Sequence, residues 1–282
     1  MTRRWRNRWL RRIGLGAVAS MAVCILAASV YVRTTPYPVA LLAPEKSTSL
    51  VLTDRHGTVL RTMPLSTGGR AQWIALDHVP PELIDATLAG EDRRFFEHQG
   101  VDVVGVGRAA LLAIRYGRVV SGASTITMQL ARMVEPHRKN LPGKLWEMLT
   151  AWRLERAVGK REILEQYVNR AYYGNGAFGV EAASQRYFGK SAAALGPGEA
   201  VLLAVLPRAP RAYDPLVHLE AAMARRSHLL DLMVSAGRLS EDKRQRIDRE
   251  PIVFAKADPR EVSPHFAGHF VDYVMGQIGA RT

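Results

Sequence analysis

A pair of carboxylates lies next to aromatic residues and a histidine at the end of a predicted helix. The string EDRRFFEHQG begins at Glu91, directly after an apolar helical segment. A glutamate in such a place can act as a general base that takes a proton from a hydroxyl group. We predict that Glu91 is catalytic and that Asp92, Phe95 and His98 belong to the substrate site, with His98 fixing the loop through Asp92 or a backbone carbonyl. A solvated helix end, closed by the two phenylalanines, is the alternative interpretation.

A second string, SGASTITMQLAR at residues 121–132, is unusual for a plain helix. Small hydroxyl residues are unfavourable inside helices but favoured where a loop enters one, as caps or as ligand donors. A glycine lets the backbone approach a ligand closely. An ordinary capped helix is the alternative to a polar pocket that holds sugar and phosphate oxygens. The residues that we assign to this pocket are Gly122, Ser124, Thr125, Thr127, Gln129 and Arg132.

A patch of mixed charge follows this string. Arginine binds diphosphate oxygens through its planar fork, and lysine binds them as a point charge. We therefore predict that Arg138, Lys139 and Lys144 contact a diphosphate. Glu147 lies one helical step after Lys144, so a simple surface ion pair is the alternative.

Two polar residues further along the chain complete the candidate site. Asn169 precedes a glycine-rich connection at 172–179, and Arg208 lies in a proline-rigid loop, 207–215, that can line a groove. We assign both residues to substrate binding. Neither segment has the glycine pattern of a Walker or Rossmann motif, so a nucleotide is not expected.

The composition points to an anionic partner. The chain has 282 residues, 48% of them hydrophobic, and a formal net charge of +13. Nucleic acid, anionic lipid headgroups and a phosphorylated substrate all fit that charge. Cys24 is the single cysteine of the sequence, which excludes an intrachain disulfide.

The N-terminus predicts a membrane anchor. An uncharged run from Ile13 to Val32 covers about 20 residues, or roughly 30 Å as a helix, which matches one hydrocarbon core. Arginines before this run predict a cytoplasmic N-terminus, with the rest of the chain outside the cytoplasm and away from nucleic acid. A cleaved signal peptide is the alternative. The arginines are Arg3, Arg4, Arg6, Arg8, Arg11 and Arg12.

Hydrophobic periodicity predicts a mainly α-helical domain behind a short β-hairpin at 49–63. The predicted helices begin near Pro80 and then cover Val103–Tyr116, Thr125–Val134, Leu141–Val158, Lys160–Val168, Gly179–Tyr187, Gly198–Leu206 and Leu219–Ala236, with short helices at 240–248 and 264–278. We divide the chain into a basic cytoplasmic segment (1–12), a transmembrane helix (13–32), a linker (33–48), a main domain (49–250) and a C-terminal tail or truncated linker (251–282).

These strings, in this order, resemble glycosyltransferase family 51, the peptidoglycan glycosyltransferase domain of class A penicillin-binding proteins. The resemblance covers about residues 50–235 and is most similar to the 1C-type subgroup. The strings are EDRRFFEHQG, GASTITMQLAR, GKLWE, KREILEQYVNRAYYGNGAFGVEAASQRYFGK and EAVLLAVLPRAPRAYDP. No serine–lysine acylation motif is present, so the transpeptidase activity of the larger relatives is not expected.

The resemblance implies a lysozyme-like, mostly helical fold and an inverting transfer that joins lipid II disaccharides into β-1,4 glycan strands, releasing undecaprenyl diphosphate. By position, Glu91 corresponds to the general base, and Glu147 to a second catalytic carboxylate that holds a divalent cation (Mg or Mn) or basic groups at the diphosphate. The implied partners are lipid II, the growing glycan strand, the inner membrane and other cell-wall synthesis proteins.

One position departs from the family pattern. The third block usually begins with arginine and lysine, whereas this chain has Gly143 before Lys144. The loss of that cation leaves room for a non-catalytic scaffold that binds lipid II or glycan. A lytic transglycosylase is a further alternative, but a glycosidase must protonate its leaving group, whereas a diphosphate leaves as a stable anion. One candidate base beside many cations favours transfer from a diphosphate.

Overall fold

The computed structural model describes residues 3–53, 55–56, 59–63, 65, 69–117, 124–255, 273 and 277. Within these residues the chain is mainly α-helical, as predicted. Except for residues 273 and 277, the helix predicted at 264–278 lies outside the described residues, as does most of the tail from 251 onward. The same holds for Gly122.

The first helix, α1 (Arg3–Thr34), contains the apolar run of the N-terminus. Its C-terminal end is fastened to a later helix by Arg153, whose guanidinium donates hydrogen bonds to the carbonyls of Thr35 (2.9 Å) and Pro36 (2.8 Å). In the described part of the chain, no helix combines the length and the apolar character needed to cross a membrane. The span predicted over 13–32 gains no support from this finding and stays a prediction.

The strands form two small sheets. β1 (Val51–Thr53) and β2 (Val59–Thr62) pair in an antiparallel manner, which agrees with the predicted hairpin. In the second sheet, β5 (Ala177–Phe178) lies between β3 (Arg70–Ala71) and β4 (Tyr172–Gly174) and pairs parallel with β3 and antiparallel with β4. The connection predicted at 172–179 is thus a short hairpin of β4 and β5, and β3 adds a third strand to it.

The helices that follow the hairpin of β1 and β2 along the chain begin and end close to the predicted positions, because the sequence shows their caps. Thr125 and Asn140, for example, are N-caps whose side chains accept hydrogen bonds from the backbone N–H groups of Met128 and Gly143. The helices are α2 (Pro81–Glu91), α3 (Val103–Tyr116), α4 (Ile126–Val134), α5 (Leu141–Ala157), α6 (Lys160–Arg170), α7 (Val180–Phe188), α8 (Pro197–Val205), α9 (Leu219–Ser235) and α10 (Glu241–Arg249).

Four helix–helix contacts position the candidate site. α2 packs against α8 and α9, and α4 packs against α5 and α6. The core includes Leu83 and Leu88 of α2, Leu130 of α4 and Leu154 of α5, all of them buried. The C-terminal end of α2 and the polar face of α4 therefore lie on a common rigid base of close-packed side chains.

Asn169 is part of this base. It is 1% exposed. Its amide oxygen accepts from the backbone N–H of Ile74 (2.8 Å), and its amide nitrogen donates to the carbonyls of Ile74 (2.8 Å) and Glu165 (2.9 Å). These bonds use the polar capacity of the side chain to hold the segment before α2. The structure gives Asn169 this packing role and does not bring it to the candidate site.

Candidate active site

Glu91 ends α2 and is half-buried. Its Oε2 atom accepts a hydrogen bond of 3.0 Å from the amide nitrogen Nε2 of Gln129, on α4. A neutral amide partner leaves the second carboxylate oxygen available to another donor. The predicted base and the predicted polar helix therefore meet directly.

Asp92, the next residue, faces into the protein. Both of its carboxylate oxygens lie 3.0 Å from Nε2 of His98, and Oδ2 accepts from the backbone N–H of Ile126, also at 3.0 Å. Asp92 and His98 are both buried. Together they tie the end of α2 to the first turn of α4 and so fix the position of Glu91. His98 fixes the loop through Asp92, as predicted.

Phe95 also points inward. Its side chain is fully buried, and its ring packs edge-on against His98 and lies 4.4 Å from Nζ of Lys160. The structure therefore places Phe95 in the core behind the site, which corrects its assignment to the substrate.

The threonines of the second string have separate partners. Thr125 caps α4 and donates a 2.5 Å hydrogen bond to the carbonyl of Gly100, which has φ of 91° and packs against the backbone of Ala151. Thr127 donates to Glu155 at 2.7 Å, and Glu155 in turn pairs with Lys160. Both threonines are buried. They anchor α4, because their hydroxyls donate to Gly100 and Glu155.

A buried carboxylate on α5 lies near side-chain nitrogens of three other residues. Glu147 is 2% exposed, and its Oε2 accepts a 3.0 Å hydrogen bond from Nζ of Lys144, which also donates to Ser124 at 2.6 Å. One guanidinium nitrogen of Arg132 lies 3.4 Å from Oε1, and Nε2 of His137 lies 3.9 Å from Oε2. The buried charge of Glu147 requires such partners, whereas Lys144 and Arg132 stay half-exposed and can still reach solvent.

α4 joins the two carboxylates. Gln129 contacts Glu91 and Arg132 contacts Glu147, and residues three apart on a helix are neighbours about 5–6 Å apart at Cβ. Tyr167 lies between these two positions: burial raises the pKa of its phenol, the charge of Glu91 raises it further and that of Arg132 lowers it. Its buried hydroxyl is therefore near both Glu91 and Arg132.

The remaining predicted residues lie at the margin. Arg138 and Lys139 are exposed in the connection between α4 and α5. Arg208 ends a 3-10 turn after α8 and is exposed as well. Within the described residues, the nitrogens that pair with Glu147 come from Arg132, His137 and Lys144. The role of Arg138, Lys139 and Arg208 at a diphosphate stays a prediction.

Arg225 was not anticipated from the sequence. It lies on α9 one turn before Leu229, which packs against Gly90 at the end of α2. Burial lowers the pKa of Arg225, Arg208 lowers it further, and Glu91 raises it, so these charges lie near one another. Its buried Nε has no hydrogen-bond partner among the described residues. The signal in the sequence was the arginine pair 225–226 in the middle of α9.

The described residues do not fit a divalent cation held by the protein. They contain no group of three or more side chains suited to bind a metal ion. Glu147, the predicted ligand, is instead approached by Lys144, Arg132 and His137. The positive charges of Lys144 and Arg132 beside Glu147 oppose a metal ion.

Comparison with known proteins identifies the family. A family model described as Transglycosylase matches residues 56–234. The chain is 39% identical over 208 residues to penicillin-binding protein 1A of Aquifex aeolicus (strain VF5), covering 73% of this chain and 29% of that protein. It is 43% identical over 181 residues to penicillin-binding protein 1A of Escherichia coli (strain K12), covering 64% and 21%.

A 1C-type relative is among the matches, with an identity similar to those of the 1A type. Penicillin-binding protein 1C of Escherichia coli (strain K12) is 38% identical over 223 residues, covering 79% of this chain and 29% of that protein. A crystal structure of penicillin-binding protein 1A from Haemophilus influenzae aligns with a TM-score of 0.43 and 25% identity, covering 74% of this chain and 21% of that one.

The chain belongs to the transglycosylase family, glycosyltransferase family 51, and shares the glycosyltransferase region of class A penicillin-binding proteins. It spans about a fifth to three tenths of the length of the three relatives described.

Proposed function

We propose that this protein is a membrane-anchored peptidoglycan glycosyltransferase that polymerises lipid II into β-1,4-linked glycan strands and releases undecaprenyl diphosphate. The observation that carries the proposal is the arrangement on α4, where Gln129 holds Glu91 and Arg132 reaches Glu147. A candidate base and a set of cations are therefore held by neighbouring residues of one helix, as attack by a sugar hydroxyl on a diphosphate-activated sugar requires.

Glu91 is the general base of this mechanism. Its free carboxylate oxygen takes the proton of the acceptor hydroxyl while the hydroxyl oxygen bonds to the anomeric carbon of the donor. The bond from that carbon to the diphosphate breaks with its electron pair going to the diphosphate. A single displacement from the opposite face inverts the anomeric centre. Gln129 positions Glu91 through their 3.0 Å hydrogen bond.

The cations on the Glu147 side serve the leaving group. As negative charge develops on the diphosphate oxygens, Lys144 and Arg132 stabilise it. Glu147 holds Lys144 by a 3.0 Å hydrogen bond and so keeps it in place before substrate arrives. Because the partners of Glu147 are donors, it accepts hydrogen bonds and does not need to protonate the leaving group, as a glycosidase acid would.

A second pair of arginines suits the acceptor. Arg225 lies near both Glu91 and Arg208, and its buried Nε has no partner in the described region. The acceptor lipid II also carries a diphosphate. These two arginines would hold it and direct its sugar hydroxyl toward Glu91.

The lipid tail of the substrate requires a surface at the bilayer. α3 exposes Val103, Val104, Leu111 and Ile114, and α1 exposes a series of apolar side chains. Apolar patches of this kind mark membrane or partner contacts. We place the protein in the inner membrane, with a cytoplasmic N-terminus and an extracytoplasmic domain. There it would meet the growing strand and other cell-wall synthesis proteins.

Polymerisation in vitro tests the proposal. The full chain in detergent or vesicles is incubated with labelled lipid II, with and without Mg²⁺ or Mn²⁺, and the glycan product is separated by size. Wild type should form polymer, and Glu91→Gln should lose about 10²–10⁴-fold in rate, the contribution typical of a general base. The melting temperature of the variant should match that of wild type.

Three outcomes would redirect the proposal. An unchanged rate in Glu91→Gln would remove Glu91 from its role. Binding of lipid II without turnover would indicate a scaffold. Release of soluble muropeptides from purified sacculi would indicate a lytic transglycosylase.

A further inference from the structure

The connection between α4 and α5 folds tightly over the first turn of α5. We define residues 135–140 as the cap loop. Within it, the ring nitrogen Nδ1 of His137 lies 3.0 Å from the carbonyl of Glu135, and the backbone N–H of Asn140 donates to the carbonyl of Arg138 at 2.9 Å. The side chain of Asn140 accepts from the N–H of Gly143. The cap loop is therefore held at both its ends.

Gly143 is required for this arrangement because of space. A Cβ atom at residue 143 would lie 2.0 Å from the carbonyl oxygen of Arg138 and 2.9 Å from the ring of His137. The first of these is a backbone atom, which cannot turn aside as a flexible side chain does. Any other residue at 143 would displace the cap loop. The glycine that removes a cation from the family pattern thus allows another segment to approach.

The cap loop brings the Nε2 atom of His137 close to Glu147. A carbonyl oxygen can only accept, so Nδ1 of His137 donates to Glu135 and the ring is fixed with Nε2 on the other side. There Nε2 donates to a carboxylate only when the imidazole carries both of its protons. That Nε2 lies 3.9 Å from Oε2 of Glu147, and the His137 side chain is 16% exposed. Lys144 and Arg132 approach the same carboxylate from other directions.

We propose that His137 is a positioning residue for the diphosphate site, acting through Glu147, and that Gly143 is the residue which lets it act. The inference rests on the proposed function, because it assigns these residues to the leaving-group side of that reaction. His137 confines the Glu147 carboxylate between itself and Lys144. Without it, the carboxylate can turn, and Lys144 loses the 3.0 Å partner that aims it.

The test compares His137→Ala, Gly143→Ala and the double variant with wild type. Calorimetry measures binding of inorganic pyrophosphate to the full chain, and polymerisation kinetics measure KM and kcat separately. We expect each single variant to weaken pyrophosphate binding and raise KM by about three- to tenfold, with kcat within about twofold, since a pre-organised binding group is disturbed. The double variant should bind pyrophosphate about as well as the single variant with the lower affinity, because both changes act on one contact and their losses do not add.

Matched controls come from elsewhere in the chain. A Cβ atom added to Gly107 of α3 would meet no described atom within 4 Å, and His228 of α9 is exposed. Gly107→Ala and His228→Ala should bind pyrophosphate as wild type does. The melting temperatures of all variants are measured to separate unfolding from weaker binding.

Clear results would overturn the inference. If folded His137→Ala binds pyrophosphate with wild-type affinity, His137 has no positioning role. If the losses of affinity add in the double variant, Gly143 does not act through His137. If wild type makes no polymer, the proposed function fails, whereas the calorimetric comparison still decides whether His137 and Gly143 shape a diphosphate site.

Discussion

The two glutamates that border α4 are the same residue type in opposite settings. Glu91 is half-buried and accepts from the neutral amide of Gln129. Glu147 is 2% exposed and is approached by a lysine, an arginine and a histidine. A carboxylate with a neutral partner can take up a proton, whereas one that accepts from cations organises charge. The difference lies in the neighbours, which the residue type does not specify.

Glu147→Gln should show the largest effect on the organising side. It leaves Lys144 and Arg132 without their negative partner, so these two cations repel one another and lose their positions. We expect pyrophosphate binding and polymerisation to weaken about 100-fold, as when one fixed charge-stabilising group is removed. Unfolding free energy should fall by about 1–3 kcal/mol, a cost of disturbing a buried pair with half-exposed partners.

The matched control for this variant is Glu91→Gln. It should slow polymerisation while leaving pyrophosphate affinity unchanged. Equal loss of pyrophosphate binding in both variants would erase the division of roles between the two glutamates.

Gln129→Glu should damage the proton-accepting side to a smaller degree. It replaces the neutral donor of Glu91 with a like charge at hydrogen-bond distance, and like charges favour protonation of one partner. We expect kcat to fall about tenfold at neutral pH, with a pH–rate profile shifted to higher pH. Pyrophosphate affinity, measured by calorimetry, should remain that of wild type.

Gln129→Ala serves as the comparison, since it removes the donor without adding charge. Its pH–rate profile should coincide with that of wild type. A profile that moves in the alanine variant as far as in the glutamate variant would contradict the electrostatic explanation.

Asp92→Asn should reduce stability more than catalysis. Asp92 accepts from His98 and from the backbone N–H of Ile126, and an amide replaces one acceptor oxygen with a donor. We expect the unfolding free energy, measured by denaturant titration, to fall by about 1–3 kcal/mol. At temperatures where the variant is folded, its KM should stay within about twofold of wild type. A large rise in KM without destabilisation would support the assignment of Asp92 to substrate binding.

The smallest effect concerns Tyr187, which has no hydrogen bond to either glutamate, and isolates the pH dependence of the fold. Burial, aided by Asp214, raises the pKa of Tyr187 from 10.0 to about 12. Between these values the unfolded chain loses the proton first, so the folded state binds more protons and stability falls as pH rises from 10 to 12. Tyr187→Phe lacks this group, so its stability, measured by denaturant titration, should decline less over that range. Equal slopes in the two proteins would contradict the shift.

The sequence predicted α3 at its observed bounds, and it predicted Thr125 as the cap of a helix because hydroxyl residues at such entries accept a backbone N–H. It also brought Gln129 and Arg132 to one face through helical spacing. Arg225 escaped prediction because its proximity to Glu91 depends on how α9 packs on α2. Helical spacing defines a face but does not tell which other helix covers it.

The amino-acid sequence by itself determined the helices, their caps, the family and the two acidic residues, since these follow from local periodicity and from motifs contiguous in the chain. Only the tertiary structure decided which polar residues of those motifs lie beside the two glutamates. Thr127 turns to Glu155, Asp92 to His98, and Asn169 to the backbone of Ile74. Each choice depends on a buried polar group finding its partner in another segment, and packing selects that partner.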